Sequence, residues 1–268
     1  LIKKQFKMKK LLLLILICPL LVFSQVATID FHFINDGMKD DYLEVEKVWV
    51  EFHKQNIEDG KMFGWSLFKI ESTSNNDSEA PDYMTLNRFE SKEAMESMWN
   101  GVTPESFMKI VKNRLKGKIS ARKIKKILEA KVKKSVHTYT IKMKDQTVPP
   151  AEMKIGETLN ISAMEQKVDD YDKYESFVAK PIVQSNVNDG NLKWWGFTEV
   201  TARSDDSLKE VTHFTWQIPV DGKNVKWFDD KATSMFGGKF TFDKLANLVG
   251  ESREIVGSTK LKLIMTEK

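Results

Sequence analysis

Four histidines, His32, His53, His137 and His213, are spread through the chain, and histidine is the side chain most often used as a general base. No two of them stand at the HxH or HxxxH spacing that points two imidazoles at one metal ion. A metal centre would have to draw three or four ligands from separate elements, and none is expected. His32 lies two residues from Asp30, and His213 lies on one side of a stretch shared with Thr215 and Gln217. Asn160 and Ser162 occupy the corresponding side of a third stretch. If these sides look into a common interior, Asp30, His32, Asn160 and His213 are candidate ligand contacts, because a few converging polar groups on apolar walls make the usual binding site. Trp65 and Trp195 are candidates for an aromatic rim. The alternative is that the polar groups satisfy one another and the tryptophans pack core or interface. Trp49 and His53 are four apart and share one side of a helix. No Ser-His-Asp order, Walker loop, GxGxxG or CxxC occurs, and Gly237-Gly238-Lys239 lacks the spacing of a phosphate loop. No cofactor is expected.

The elements that must position these residues follow from periodicity. From Val26 to Ile34, Ala27, Ile29, Phe31 and Phe33 alternate with Thr28, Asp30 and His32, the pattern of a strand with unlike faces. The apolar face is expected to meet helices, which sends Asp30 and His32 to the other side. Val45, Val48 and Phe52 then recur at helical spacing, and Asp59-Gly60 ends the helix. Met62 to Ser72 and Tyr83 to Phe89 read as strands, Ser91 as a helix cap, Phe107 onward as a further helix, and Val136 to Met143 as a closing strand. A shift of 130 residues lays this pattern on a second copy. Val48 then meets Val178, Asn56 meets Asn186, Asp59-Gly60 meets Asp189-Gly190, and Trp65 meets Trp195. Each copy reads β-α-β-β-α-β. The expected division is 25–146 and 157–268, joined by a linker over 147–156 that contains Pro149 and Pro150. Pro181 falls inside the second helix, so an irregular turn is expected near Lys180.

Residues 1–24 read as an export signal. Lys9-Lys10 precede an apolar run from Leu11 to Phe23, too short to span a bilayer, and Ser24 suits the last residue before cleavage. A secreted or periplasmic protein is the expectation. Cys18 is the single cysteine and lies in that segment, without the small preceding residue that lipidation wants; no disulfide is expected. Past residue 24, 37 basic residues face 38 acidic ones, so the basic balance of the whole chain is no argument for a nucleic-acid partner. One segment departs from this balance. Lys109 to Lys134 holds 12 Lys or Arg and one acid, Glu129, interleaved with apolar residues. It reads as a solvated helix face or as a contact for an anionic surface, lipid or polysaccharide.

With its YLEVEKVWVEFHKQNIEDGKMFGW stretch and a fainter second copy, the chain resembles the dimeric α/β-barrel superfamily, which includes antibiotic-biosynthesis-monooxygenase, EthD-like, NIPSNAP-like and stress-responsive domains. The resemblance covers roughly 26–266. It implies an α+β fold of two tandem ferredoxin-like units, packed sheet to sheet as an intramolecular barrel around a cavity. It implies no particular chemistry, since this fold hosts unrelated activities. The functional expectation is an exported protein that binds a small, partly apolar molecule. The alternatives are a cofactor-free oxygenase or isomerase with His32 or His213 as base, and a structural or interaction protein whose cavity is filled.

Overall fold

The alternation of Val26–Ile34 becomes the first strand, β1. In chain order it is followed by α1 (Lys39–Glu58), β2 (Gly64–Thr73), β3 (Tyr83–Phe89), α2 (Lys92–Trp99), α3 (Pro104–Arg114), α4 (Ala121–Leu128) and β4 (Lys133–Gln146). Then come β5 (Thr158–Gln166), α5 (Tyr171–Tyr174), a π-helical turn (Glu175–Ala179), α6 (Lys180–Asn188), β6 (Leu192–Arg203), β7 (His213–Pro219), α7 (Asp230–Met235), α8 (Lys239–Glu251) and β8 (Arg253–Glu267). The computed structural model describes residues 25–74 and 80–268; the export segment expected over 1–24 lies outside them. Among the described residues no helix is long and apolar enough to cross a membrane.

The helix ends obey local rules. Asp40 and Asp41 sit in the first turn of α1, where carboxylates favour the helix dipole. Its Tyr42, Val45, Val48 and Phe52 are buried in one stripe. Gly60 and Gly190 have φ of 69° and 71°, the left-handed geometry that lets the chain leave a helix without a Cβ clash. The same side-chain device precedes each: Asn56 donates to the Phe52 carbonyl and Asn186 to that of Ile182. Ahead of Pro181 the helix widens into its π turn, with the Lys180 amide donating to the Glu175 carbonyl. Proline cannot donate in the regular ladder, and the irregularity expected near Lys180 is found there.

All strand pairs are antiparallel. The order is β1-β3-β2-β8-β5-β7-β6-β4, with β4 returning to β1, so the sheet closes into an eight-stranded barrel. The joins between early and late strands are edge to edge, β2 on β8 and β4 on β6. Closure removes every strand edge, and eight strands enclose a lumen that side chains can fill. Ile29, Phe68, Met84, Tyr139, Leu159, Ile161, Phe214, Trp216 and Leu261 supply that filling, with Ala27 and Phe31 packed against them.

This closure reverses one expectation. The apolar face of β1 looks into the lumen, not toward the helices, and Asp30 and His32 lie on the helix-facing outside. A closed barrel needs a greasy stripe from every strand, whereas the layer beneath α1 tolerates polar groups that bond to one another. The two barrel ends differ. At one, the 147–157 connection packs against the lumen: Ala151 and Met153 touch the lumen residues, the Gly156 amide donates to the Leu263 carbonyl, and the Leu263 amide donates to that of Glu157.

Candidate functional site

Toward the other end, the described residues of the lumen line a cavity of about 240 Å³. The register builds it from inward positions. On β1 and β4, Phe31 is paired with His137, Phe33 with Ser135 and Ile29 with Tyr139. Ala163 of β5 is paired with Phe214 of β7 on one side and Gly257 of β8 on the other. Phe31, Phe33, Tyr139, Ile161, Val211 and Phe214 make the wall mostly aromatic and apolar; Thr73, Ser135, His137 and Thr259 are its polar groups. Tyr139 stands edge-on to Phe31 and Phe214, at ring separations of 6.1 and 5.3 Å. Its hydroxyl accepts from the Leu208 amide at 2.9 Å, which ties the loop before β7 to the wall. Burial pushes the Tyr139 phenol up from its ordinary pKa, so it stays protonated. His137 is half-buried, with its ring 4.6 Å from that of Phe33. Among the described residues its imidazole makes no hydrogen bond to protein.

The residues singled out from sequence go elsewhere. Asp30 accepts from Thr138 at 2.6 Å, from Thr85 at 3.1 Å and from Asn87 at 3.2 Å. Burial raises its pKa, against the lowering effect of those donors. The Thr85 hydroxyl gives its proton to Asp30, so it must accept from His32 Nε2, 3.1 Å away. The Nδ1 of His32 is then a bare, buried acceptor, and burial drives this histidine's pKa well below its usual value, with the Lys133 charge adding to the effect. His32 faces Tyr42 of α1, ring centroids 5.4 Å apart. These groups form a hydrogen-bonded polar layer under α1.

His213 is buried beneath α5. Its Nε2 lies 3.0 Å from Asp172, its Nδ1 lies 3.0 Å from the Thr212 hydroxyl, and its ring stacks on Phe197. The His213 hydrogen bond, helped by Lys144, holds Asp172 down to about 2. Both ring nitrogens of His213 thus face protein groups, away from the cavity. Asn160 faces Gln217 and Lys260 across its neighbouring strands. Trp65 is buried against His53 of α1, rings 5.3 Å apart and nearly parallel, and Trp195 stacks on Phe197. None of the six lines the cavity. The expected convergence of Asp30, His32, Asn160 and His213 is therefore corrected: they belong to separate outer layers, for the reason given by barrel closure. His137 and Tyr139 were the residues missed. Their signal was alternation with Ile141 on one strand, legible only once that strand is known to pair with β1. Among the described residues no cluster of three or more His, Cys, Asp or Glu is placed to hold a metal ion.

No sequence-family model matches the chain, and no curated protein matches it in sequence. Solved structures do. A candidate monooxygenase from Fusobacterium nucleatum superposes with a TM-score of 0.53, covering 92% of this chain and 94% of that one at 9% identity. The fold is similar to that of ferredoxin-like dimeric barrel proteins. A second candidate monooxygenase, from Lactobacillus acidophilus, gives a TM-score of 0.47 at 11% identity, covering 91% of this chain and 96% of that one. An anthrone oxidase-like protein gives 0.47 at 10%, covering 91% and 92%. At 9% identity the Fusobacterium nucleatum likeness speaks for the fold and leaves the chemistry to the site.

Proposed function

We propose that this barrel binds a small, flat, largely apolar molecule in its lumen cavity, with a polar group of that molecule meeting His137. The observation that carries the reading is the cavity of about 240 Å³ with aromatic walls and one half-buried histidine that makes no hydrogen bond to protein among the described residues. Its size lies just under the ~300–1,000 Å³ of ordinary ligand pockets, which favours an occupant of one or two rings. The barrel walls come from both halves of the chain, in keeping with two βαββαβ units joined through 147–156. The sequence pattern of 1–24 supports export, so the ligand would be met outside the cytoplasm.

A second reading has an observation of its own. His137 is the one histidine that faces the lumen cavity, and an imidazole held against a bound substrate is the usual general base. Under this reading the protein is a cofactor-free oxygenase or isomerase, with His137 in the role first considered for His32 and His213.

Native mass spectrometry of purified protein tests for a retained small molecule, and 2-naphthol serves as a fluorescent probe for titration. Ala163→Phe should fill the cavity and abolish probe binding. His137→Ala should weaken it by about tenfold, the worth of one lost polar contact. A folded Ala163→Phe protein with unchanged affinity would overturn the proposal. Turnover of a bound molecule that disappears in His137→Ala would decide for the enzyme.

A further inference from the structure

A second concavity, of about 830 Å³, lies in the helical layer, away from the lumen. Its floor is Trp49 of α1, Phe107 and Met108 of α3 and Leu128 of α4. Lys109, Lys112 and Lys125 line it as well, with Glu105 and Glu129 as the acids present. The walls follow from sequence. α3 is fixed at its start by a Thr103–Ser106 capping box with Pro104 in the first turn. Ser120 caps α4 through the Lys123 amide. Phe107, Val111 and Ile124 are buried against Val48 and Phe52 of α1, which leaves the lysines between them pointing outward.

Among the described residues the charge on this face is only partly neutralised. The stretch from Lys109 to Lys134 holds 12 of the 42 basic residues of the chain and one of its 38 acids. Some of its cations are paired: Arg114 with Glu51 and Glu58, Lys125 with Glu129, and Lys133 with Glu46. Lys109, Lys112, Lys116, Lys118, Arg122 and Lys126 are exposed and make no ion pair among the described residues. Cations at this density repel one another, and an external anionic partner relieves that repulsion.

Apolar exposure among the cations indicates which partner. Trp99, at the end of α2, is 48% exposed and lies 6.4 Å from Trp49 at the edge of the concavity. Met108, Ile127 and Leu128 are only partly covered. A soluble polyanion would meet the lysines and leave these side chains in water. A bilayer interface accommodates both, since tryptophan favours the headgroup level and basic amphipathic helices lie in that plane.

We propose that α3 and α4 dock the protein onto a membrane surface rich in anionic phospholipid, the lysines meeting headgroup phosphates and Trp99 entering the interface. The test is co-sedimentation of the full chain with phosphatidylcholine vesicles and with equal-part phosphatidylcholine–phosphatidylglycerol vesicles. Binding is expected to the mixed vesicles only, and to be lost in high salt. The triple variant Lys109→Glu, Lys112→Glu, Lys116→Glu should bind them about tenfold more weakly or worse. It keeps residues 1–24, so any contribution of that segment is common to both proteins. It should melt as the unaltered chain does, because none of the three lysines has an ion-pair partner among the described residues. Trp99→Ala should weaken vesicle binding and leave retention on heparin unchanged. Equal binding to neutral vesicles, undiminished binding by the triple variant, or heparin retention without vesicle binding would each overturn the proposal.

Discussion

His53 makes stability depend on pH in a way that can be calculated. The ring is 5% exposed, stacks on Trp65 at 5.3 Å, and has an Nδ1 without a hydrogen-bond partner. Burial, followed by the charge of Lys133, lowers its pKa from 6.5 to about 3. The unfolded chain therefore binds this proton more tightly than the folded one. Stability is complete above pH 6.5 and is lost as pH falls through the window from 6.5 toward 3. Linkage gives a loss of about 2 kcal/mol at pH 5 and about 3 kcal/mol at pH 4 from this group. His32 acts in the same direction. Asp30 and Glu46 act in the opposite one, because their raised pKa values make the folded state gain as they take up protons. A comparison with His53→Phe isolates the histidine, since Phe keeps the stack on Trp65 and cannot titrate. The assay is urea unfolding followed by tryptophan fluorescence at pH 7.5, 6 and 5. The drop between pH 7.5 and 5 should be about 2 kcal/mol smaller in the variant than in the unaltered protein. Parallel pH curves for the two proteins, or a His53 titration by NMR near 6.5, would refute the reasoning.

Other consequences can be checked in the same way. Asp30→Ala strands the donors of Thr138, Thr85 and Asn87 and should cost about 3 kcal/mol of stability, read as a fall in the urea midpoint, without touching the cavity wall. His137→Ala should do the reverse, changing probe affinity and leaving the midpoint nearly unmoved. A Val introduced at Gly60, where a Cβ would meet nothing but the backbone is left-handed, should destabilise by about 1 kcal/mol or more; no loss would mean that the helix end relaxes. Lys133→Met removes the partner 3.2 Å from buried Glu46; about 3 kcal/mol should be lost at neutral pH, and part of it recovered in acid as Glu46 protonates.

Much of the architecture was written in local pattern. Alternation over 26–34, helical spacing from Val45 to Phe52, and the Asp-Gly pairs at 59–60 and 189–190 depend on backbone geometry that each segment carries by itself, and those elements form where they were expected. Pro181 marked its irregular turn for the same reason, since a missing donor acts within one turn. The site was another matter. Period-two alternation says that a strand has two unlike faces, but not which face looks inward. That was decided when β2 met β8 and β4 met β6 and closed the barrel. Closure took Ile29 and Phe31 into the lumen, left Asp30 and His32 to the layer under α1, and set His137 beside Phe31 across a pairing 106 residues apart in sequence. Sequence alone determined the segments and their two sides; the choice of side, and with it the residues that meet a ligand, belongs to contacts between strands distant in the chain.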